Sequence, residues 1–318
     1  MEEYYTALPT SIEKYRKRVQ AKIFYCYNCQ PFEEGEPFWI QGDKIDMIDL
    51  LNENNVPEKH WNEVADQLYC PNCGTPHLGI AADVGLQTRF EKELSAQEKK
   101  AKATYGREVV DLEELLSNFP LLAFQNKFAK KIYNEIKRKK FPIASIKGEF
   151  YRARMVDNSS LLTPAEMLNA PLGKPAEGRF NHAGQSHLYL SDSKETALIE
   201  VSPTDRLVWC QKVVIKKDVR NILDLTFNWL EMTPSTSALL LSLNIHNTLG
   251  RTDRNKENWK PDYCITRFIM DCAKSVGYSG IKYESAKELS SYNVVLFFPD
   301  KVRMEDLENP TLEQFKKR

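Results

Sequence analysis

The chain has 318 residues, long enough for two domains and a sizeable core. Hydrophobic residues at 42% and charged residues at 28% exclude a disordered chain, and 44 basic against 44 acidic residues leave no net charge, so no global basic field marks nucleic acid as a partner. No run reaches the roughly 18 apolar residues of a membrane span, and the acidic Met1-Glu2-Glu3-Tyr4-Tyr5 start has no signal core, so a cytoplasmic protein without membrane partners is expected.

The N-terminal region opens with a charged helix over residues 11–22, with Ser11 as its expected N-cap and Glu13 in the first turn. Two Cys-x-x-Cys pairs follow, Cys26/Cys29 and Cys70/Cys73. Each stands at an aromatic strand end with Asn before the second cysteine, the pattern of a knuckle that aims two thiolates at one tetrahedral ion. Four thiolates close the coordination sphere, so a structural zinc is expected and zinc catalysis is not. His60 and His77 are read as surface or packing residues. Between the pairs, Pro37–Ile40 suggests a strand, Asp43 caps a helix carrying Ile45, Ile48 and Leu51, and a second helix runs over Trp61–Leu68. Cys210, Cys264 and Cys272 stand apart and read as buried thiols of a reducing compartment.

From Phe90 the chain is charged and helical, then Leu112, Leu115, Leu116 and Phe119 fall on one helix face until Pro120 breaks it. The next helix ends in Lys137-Arg138-Lys139-Lys140, where the dipole favours cations. Strands are expected at 143–146 and 150–155, with Arg152 and Arg154 alternating toward one face. Residues 156–177 read as loop. Leu188–Ser191 is a short strand, and Ser191 or Ser193 caps a helix that ends near Glu200. Strands follow at 206–217 and 222–225, an apolar helix at Ala238–Leu243, a polar loop with Asn247, Gly250 and Arg251, and an amphipathic helix over Asp262–Val276. Strands at Gly280–Tyr283 and Asn293–Phe298 precede a charged, peripheral tail.

Gly178-Arg179-Phe180-Asn181, Gly184, Leu188-Tyr189-Leu190-Ser191 and Ala197-Leu198-Ile199-Glu200 place a guanidinium, a ring and a carboxylate within a span of 22 residues. That set suits a phosphorylated, aromatic-headed ligand whose sugar develops positive charge. A lone arginine–glutamate pair is more often a surface salt bridge, and Asn181 either lines a pocket or makes an Asx-turn. His182 and His187 lack a partner pattern for a triad.

Taken together, Phe150-Tyr151-Arg152, Gly178–Glu200 and Gly280-Ile281-Lys282-Tyr283-Glu284-Ser285 with Asn293–Phe297 resemble the RES domain, over about residues 145–300. The resemblance implies an ADP-ribosyltransferase-like RES domain at 146–302; with the cysteine pairs and the helical stretch before it, an α+β chain is expected, with a small zinc-binding α/β domain at 1–95, a helical linker at 96–145 and a tail at 303–318. It implies a catalytic set of Glu200, Arg179, Tyr189 and Ser285, with Arg152 added as a substrate-binding residue and Arg154 as the rival for its place; Asn181 is expected among the substrate-binding residues beside them. Cys26, Cys29, Cys70 and Cys73 hold the zinc. RES domains are toxins paired with Xre-type antitoxins, and the implied activity is cleavage of the nicotinamide–ribose bond of NAD by water or by phosphate. ADP-ribosylation of a protein or nucleic acid is the alternative, and a non-enzymatic zinc-dependent binding protein is the second. Compact members lack the zinc-bearing half, which is therefore expected to be a recognition or regulatory module.

Overall fold

In the computed structural model, residues 9–33, 36–155, 162–201, 207–226, 232–248, 260–288, 291–305 and 309–314 are described. The chain is α+β and divides into two compact units, Met1–Ala96 and Gln97–Arg318. The dividing point falls inside one helix. The polar loop expected around Asn247, Gly250 and Arg251 lies mostly outside the described residues. Among the described residues no helix is long and apolar enough to cross a membrane.

The first unit comprises α1 (Thr10–Gln20), β1 (Ile23–Cys26), β2 (Phe32–Glu33), β3 (Glu36–Pro37), β4 (Asp43–Asp46), α2 (Met47–Glu53), α3 (Trp61–Ala65) and β5 (Asp83–Leu86). A three-stranded antiparallel sheet runs β1-β5-β4, and Ile23, Met47, Leu50, Leu51, Val64, Leu68 and Val84 form the core beside it. Two caps differ from expectation. Helix α1 starts one residue before Ser11, with Pro9 at the N-cap, where its carbonyl accepts from Ile12 and Glu13. A proline's missing N–H is no loss at a helix start. Asp43 is no cap, because residues 43–46 pair with β5; the side chain of Asp46 takes the N–H of Asp49 instead, at 2.9 Å. The strand expected over Pro37–Ile40 is reduced to a two-residue bridge, and Phe38 and Ile40 are exposed.

Helix α4 (Arg89–Asn118) is continuous, and in the second unit Ala101, Tyr105, Val109, Leu112 and Leu116 make its buried stripe. Phe119 is not part of that stripe: Pro120 drives it out of helical geometry, and it is 60% exposed. Helix α5 (Lys127–Lys137) is capped by Asn126, whose side chain accepts from Phe128 and Ala129. Then come β6 (Ile143–Met155), α6 (Pro164–Met167), β7 (Leu188–Ser191), α7 (Lys194–Val201), β8 (Leu207–Asp224), α8 (Pro234–Thr248), α9 (Cys264–Ser275), β9 (Gly280–Glu284) and β10 (Tyr292–Leu296). The two strands expected around Gly148 are one strand with irregular register beside that glycine, and the two expected at 206–217 and 222–225 are likewise one, Leu207–Asp224.

The strands pair in the order β8-β6-β7-β10-β9, and β9 also pairs parallel with the far end of β8, so the circuit of pairings closes. Side chains alternate between the two faces of this sheet. Ile146, Phe150, Leu188, Leu190, Val213, Val294 and Leu296 pack together on one. Ile281, Val295 and Phe297 join the helical core of α4, α5, α8 and α9 on the other. The tail after Asp300 is not peripheral: β11 (Met304–Glu305) and β12 (Thr311–Gln314) both pair with β8.

Candidate active site and metal centre

The register across β7, β10 and β9 builds the site. Ser191 pairs with Asn293, and Asn293 with Tyr283, so these three side chains share the helix-covered face, and Tyr189 joins them two residues back along β7. Helix α7 begins two residues after β7. Ser193 caps it, accepting from the N–H of Thr196 at 3.1 Å, while Ser191 remains in the strand and donates to Asn293 Oδ1 at 2.6 Å. Two turns later α7 delivers Glu200, half-buried, to the end of this row.

Glu200 is held at one oxygen. Its Oε1 accepts from Ser285 Oγ at 2.8 Å and from Asn293 Nδ2 at 2.9 Å. Among the described residues Oε2 accepts no hydrogen bond. Ser285 Oγ itself accepts from the N–H groups of Lys287 and Glu288, each at 3.2 Å. Lys287 Nζ donates to the carbonyls of Ile199 and Glu200 at 2.9 and 2.8 Å, a cation on the C-terminal turn of α7. The segment 285–288 thus clips both the side chain and the backbone of Glu200.

Arg179 is placed by aromatic rings. Its guanidinium carbon lies 5.7 Å from the centroid of Tyr263 and 5.4 Å from that of Tyr283. Among the described residues its N–H groups donate to no acceptor, so the fork is held by its faces and its donors stay open. Tyr263 is anchored from below. Glu177 Oε2 accepts from the Lys260 N–H at 3.0 Å and pairs with the buried Arg267 at 3.3 Å. Tyr283 is partly buried; desolvation of its hydroxyl pushes its pKa up, and both the Arg179 and Glu200 charges act on it. Asn293, which donates to Glu200, is the cross-strand neighbour of Tyr283, so Arg179 over that ring and the Glu200–Ser285 pair occupy neighbouring places in the site.

Tyr189 and Asn181 hold the loop that carries Arg179. The Tyr189 hydroxyl accepts from the Phe180 N–H at 3.0 Å and donates to Asn181 Oδ1 at 2.9 Å. Asn181 Nδ2 donates to the carbonyls of Ala176 and His182 at 2.9 and 3.0 Å, so the buried amide is spent inside the loop. Burial raises the Tyr189 pKa. Gly178 is needed for space and not for a left-handed turn: a Cβ there would lie 2.2 Å from Asn181 Oδ1. Gly184 is the left-handed residue of the loop, with φ of +81°.

The other two arginines differ in depth. Arg152 is half-buried and donates from Nη1 to the Tyr189 carbonyl at 3.0 Å, and among the described residues its buried Nε has no partner. Burial, with Arg154 nearby, lowers its pKa to about 10. Arg154 donates to the carbonyl of Glu166, in a capping-box turn. His182 meets Asp271 at 2.8 Å, and His187 is buried against the Phe180 carbonyl at 2.8 Å; among the described residues neither ring is hydrogen-bonded to a serine.

Asn293, Tyr263 and Lys287 were not singled out from the sequence. Asn293 carried a signal, an amide inside the apolar run Asn293-Val294-Val295-Leu296-Phe297. Tyr263 carried none.

In the first unit the four cysteine sulfurs lie within 4.8 Å of one another and could hold a metal. Cys26 Sγ and Cys73 Sγ are 3.6 Å apart, and Cys29 Sγ and Cys70 Sγ 3.4 Å. Four sulfurs at the usual zinc–sulfur length of about 2.3 Å stand roughly 3.8 Å apart, so the cage is near zinc size. Asn72 Nδ2 donates to Cys29 Sγ at 3.3 Å and Thr75 Oγ1 lies 3.0 Å from Cys73 Sγ, the outer-shell bonds a thiolate cluster needs. Gly74, at φ +77°, completes the second knuckle. No histidine joins the group among the described residues.

The family model described as the RES domain matches residues 149–313, just over half of the chain. No curated protein matches. Among solved structures, the crystal structure of the M. tuberculosis MbcT-MbcA toxin-antitoxin complex is similar with a TM-score of 0.37 and 13% identity, over 58% of this chain and 94% of that one.

Proposed function

The chain belongs to the RES domain family, and from that premise we propose that its second unit cleaves the bond between nicotinamide and ribose in NAD, and so acts as a toxin by depleting NAD. The observation that carries the reading is an open guanidinium over the Tyr283 ring with a half-open carboxylate held by Asn293, the cross-strand neighbour of that tyrosine: among the described residues the Arg179 donors and Glu200 Oε2 are unengaged.

The chemistry asks little else. The C1′–N bond breaks with its electron pair going to the nicotinamide, which leaves neutral and needs no acid. The ribose becomes oxocarbenium-like, and a fixed carboxylate stabilises that charge more than it stabilises the ground state. Glu200 takes this part. Ser285 and Asn293 fix its geometry and leave Oε2 for a ribose hydroxyl or C1′. Arg179 presents its fork to the pyrophosphate. Tyr189 and Asn181 act one step back, as positioning residues for the Arg179 loop. Arg152, with its orphaned Nε, is the deeper anion donor, and Arg154 is the outer one. A water or phosphate oxygen then forms the new bond to C1′. An acidic side chain of a protein in its place would give ADP-ribosylation.

The first unit holds one zinc in Cys26, Cys29, Cys70 and Cys73. The ion supplies cross-linking, not chemistry. Within this reading the protein works where NAD is, in the cytoplasm, and an Xre-type antitoxin restrains it.

Nicotinamide release from NAD by purified protein, with and without phosphate, tests the proposal. Release that falls at least 100-fold in Glu200→Gln supports it, and phosphate dependence separates phosphorolysis from hydrolysis. No release by the wild type, or equal release by Glu200→Gln, refutes it.

A further inference from the structure

A second cleft, of about 370 Å³, lies beside the turn that follows β10, and its walls include Leu172, His187, Lys274, Phe297, Phe298 and Lys301. It shares no residue with the Glu200 group. Phe297 is four residues beyond Asn293 along the same chain, so the two regions stand roughly 13 Å apart at strand rise.

Two ammonium groups converge on it. Lys301 Nζ lies 4.8 Å and Lys274 Nζ 5.5 Å from the centroid of the same Phe298 ring. Neither is within ion-pair distance of a carboxylate among the described residues, although Asp300 stands on the rim. Two like charges that each approach one ring at the cleft, with one carboxylate on the rim that pairs with neither among the described residues, make a site for an anion. Leu172, Pro171, Pro299 and Phe297 give it an apolar wall, and the volume is that of a small-molecule site.

The cleft is joined to the Arg179 loop by a hydrogen-bond chain. Lys274 Nζ donates to His187 Nε2 at 3.2 Å, and His187 Nδ1 donates to the carbonyl of Phe180 at 2.8 Å. Phe180 is the neighbour of Arg179, and its own N–H is held by Tyr189. An anion at the cleft competes for Lys274, and whatever it changes at His187 reaches the Arg179 loop through one carbonyl.

We infer that this cleft is a second ligand site, for a small organic phosphate, and that its occupancy changes how the Arg179 loop receives substrate. The phosphate sits between Lys274 and Lys301 and its organic part lies against Leu172 and Pro299. The second clause rests on the NAD reading above; the first does not.

Phenyl phosphate is the probe, titrated calorimetrically into the full-length protein. Saturable one-to-one binding is expected, weakened at least tenfold in both Lys274→Gln and Lys301→Gln and unchanged in Arg179→Ala. Benzyl alcohol, which lacks the anion, and inorganic phosphate, which lacks the apolar part, should bind at least tenfold more weakly. Absence of saturable binding, or binding lost in Arg179→Ala and kept in the lysine variants, overturns the site. For the coupling, NAD affinity of Glu200→Gln is measured with and without saturating phenyl phosphate. A change of threefold or more, absent when Lys274→Gln is added, is expected. An unchanged affinity overturns the coupling while the binding result stands alone.

Discussion

Asn293 Nδ2 and Ser285 Oγ donate to the same oxygen of Glu200, so a buried amide on β10 fixes which oxygen of the carboxylate remains open. Asn293 is itself fixed by Ser191, whose hydroxyl donates to its Oδ1. The donor chain Ser191–Asn293–Glu200 therefore runs across two strands into a helix.

Removing the amide should cost turnover and not binding. A hydrogen bond to a charged group is worth about 1.5–3 kcal/mol, so Asn293→Ala should lower kcat by roughly 10- to 100-fold with KM for NAD changed less than threefold. Asn293→Asp, which sets a second carboxylate against Glu200, should be worse than alanine. Steady-state nicotinamide release measures both. A matched rise in KM with kcat kept would mean that Asn293 only shapes the pocket.

Gly178→Ala should break the Arg179 loop. Its Cβ would meet Asn181 Oδ1 at 2.2 Å and the Tyr189 hydroxyl at 3.1 Å, and neither group can withdraw without giving up bonds to Phe180, Ala176 or His182. Overpacking of this kind costs about 1–3 kcal/mol, and NAD turnover should fall further than stability does. Gly184→Ala is the contrast: its Cβ has a nearest neighbour at 3.5 Å, and only its φ of +81° opposes the change. That costs about 1–2 kcal/mol and should leave turnover within threefold. Urea midpoints and turnover for the pair decide it.

These two cases show what the sequence could and could not reveal. The Cys-x-x-Cys pairs are local, and short spacing was enough to group them. Glu200 and Ser285 could be named from motifs, yet their contact joins positions 85 apart in the chain. The partner Asn293 was visible only as an amide in an apolar run, because its role comes from the β7–β10–β9 register, which no local pattern encodes. Tyr263 reaches Arg179 because Glu177 and Arg267 anchor the backbone before it. Caps failed for a related reason. Asp43, Asp46 and Asp49 are equivalent by propensity, and the pairing of β4 with β5 alone chooses among them.

His187 predicts an acid-sensitive fold. Burial drives its pKa to about 4 from 6.5, against the Phe180 carbonyl and with the Lys274, Asp271 and His182 charges around it. Between those values the unfolded chain binds a proton that the folded chain refuses. This contribution is therefore complete above about pH 6.5 and is lost as pH falls toward 4, to a limit of about 3 kcal/mol. Urea midpoints at pH 7 and pH 5 should separate more for the wild type than for His187→Gln. Equal separations would assign the acid sensitivity to other groups.

The zinc cage yields the remaining prediction. Cys26 and Cys70 are fully buried within the core of the first unit, next to Ile23, Leu68 and Val84, so the ion would sit where the two knuckles join that core. Structural zinc contributes ~10–16 kcal/mol in small zinc peptides, as much as or more than the whole ~5–15 kcal/mol stability of an ordinary domain. Its removal should therefore unfold the first unit and not merely loosen it. The second unit has its own core, from Ala101 to Phe297, and should persist. Elemental analysis should find one zinc per chain, absent in Cys26→Ser. Hydrogen exchange in that variant should lose protection across residues 10–86 and keep it across β6–β10. A folded first unit without metal, its amides as protected as before, would show that the thiols pack as a core and hold nothing.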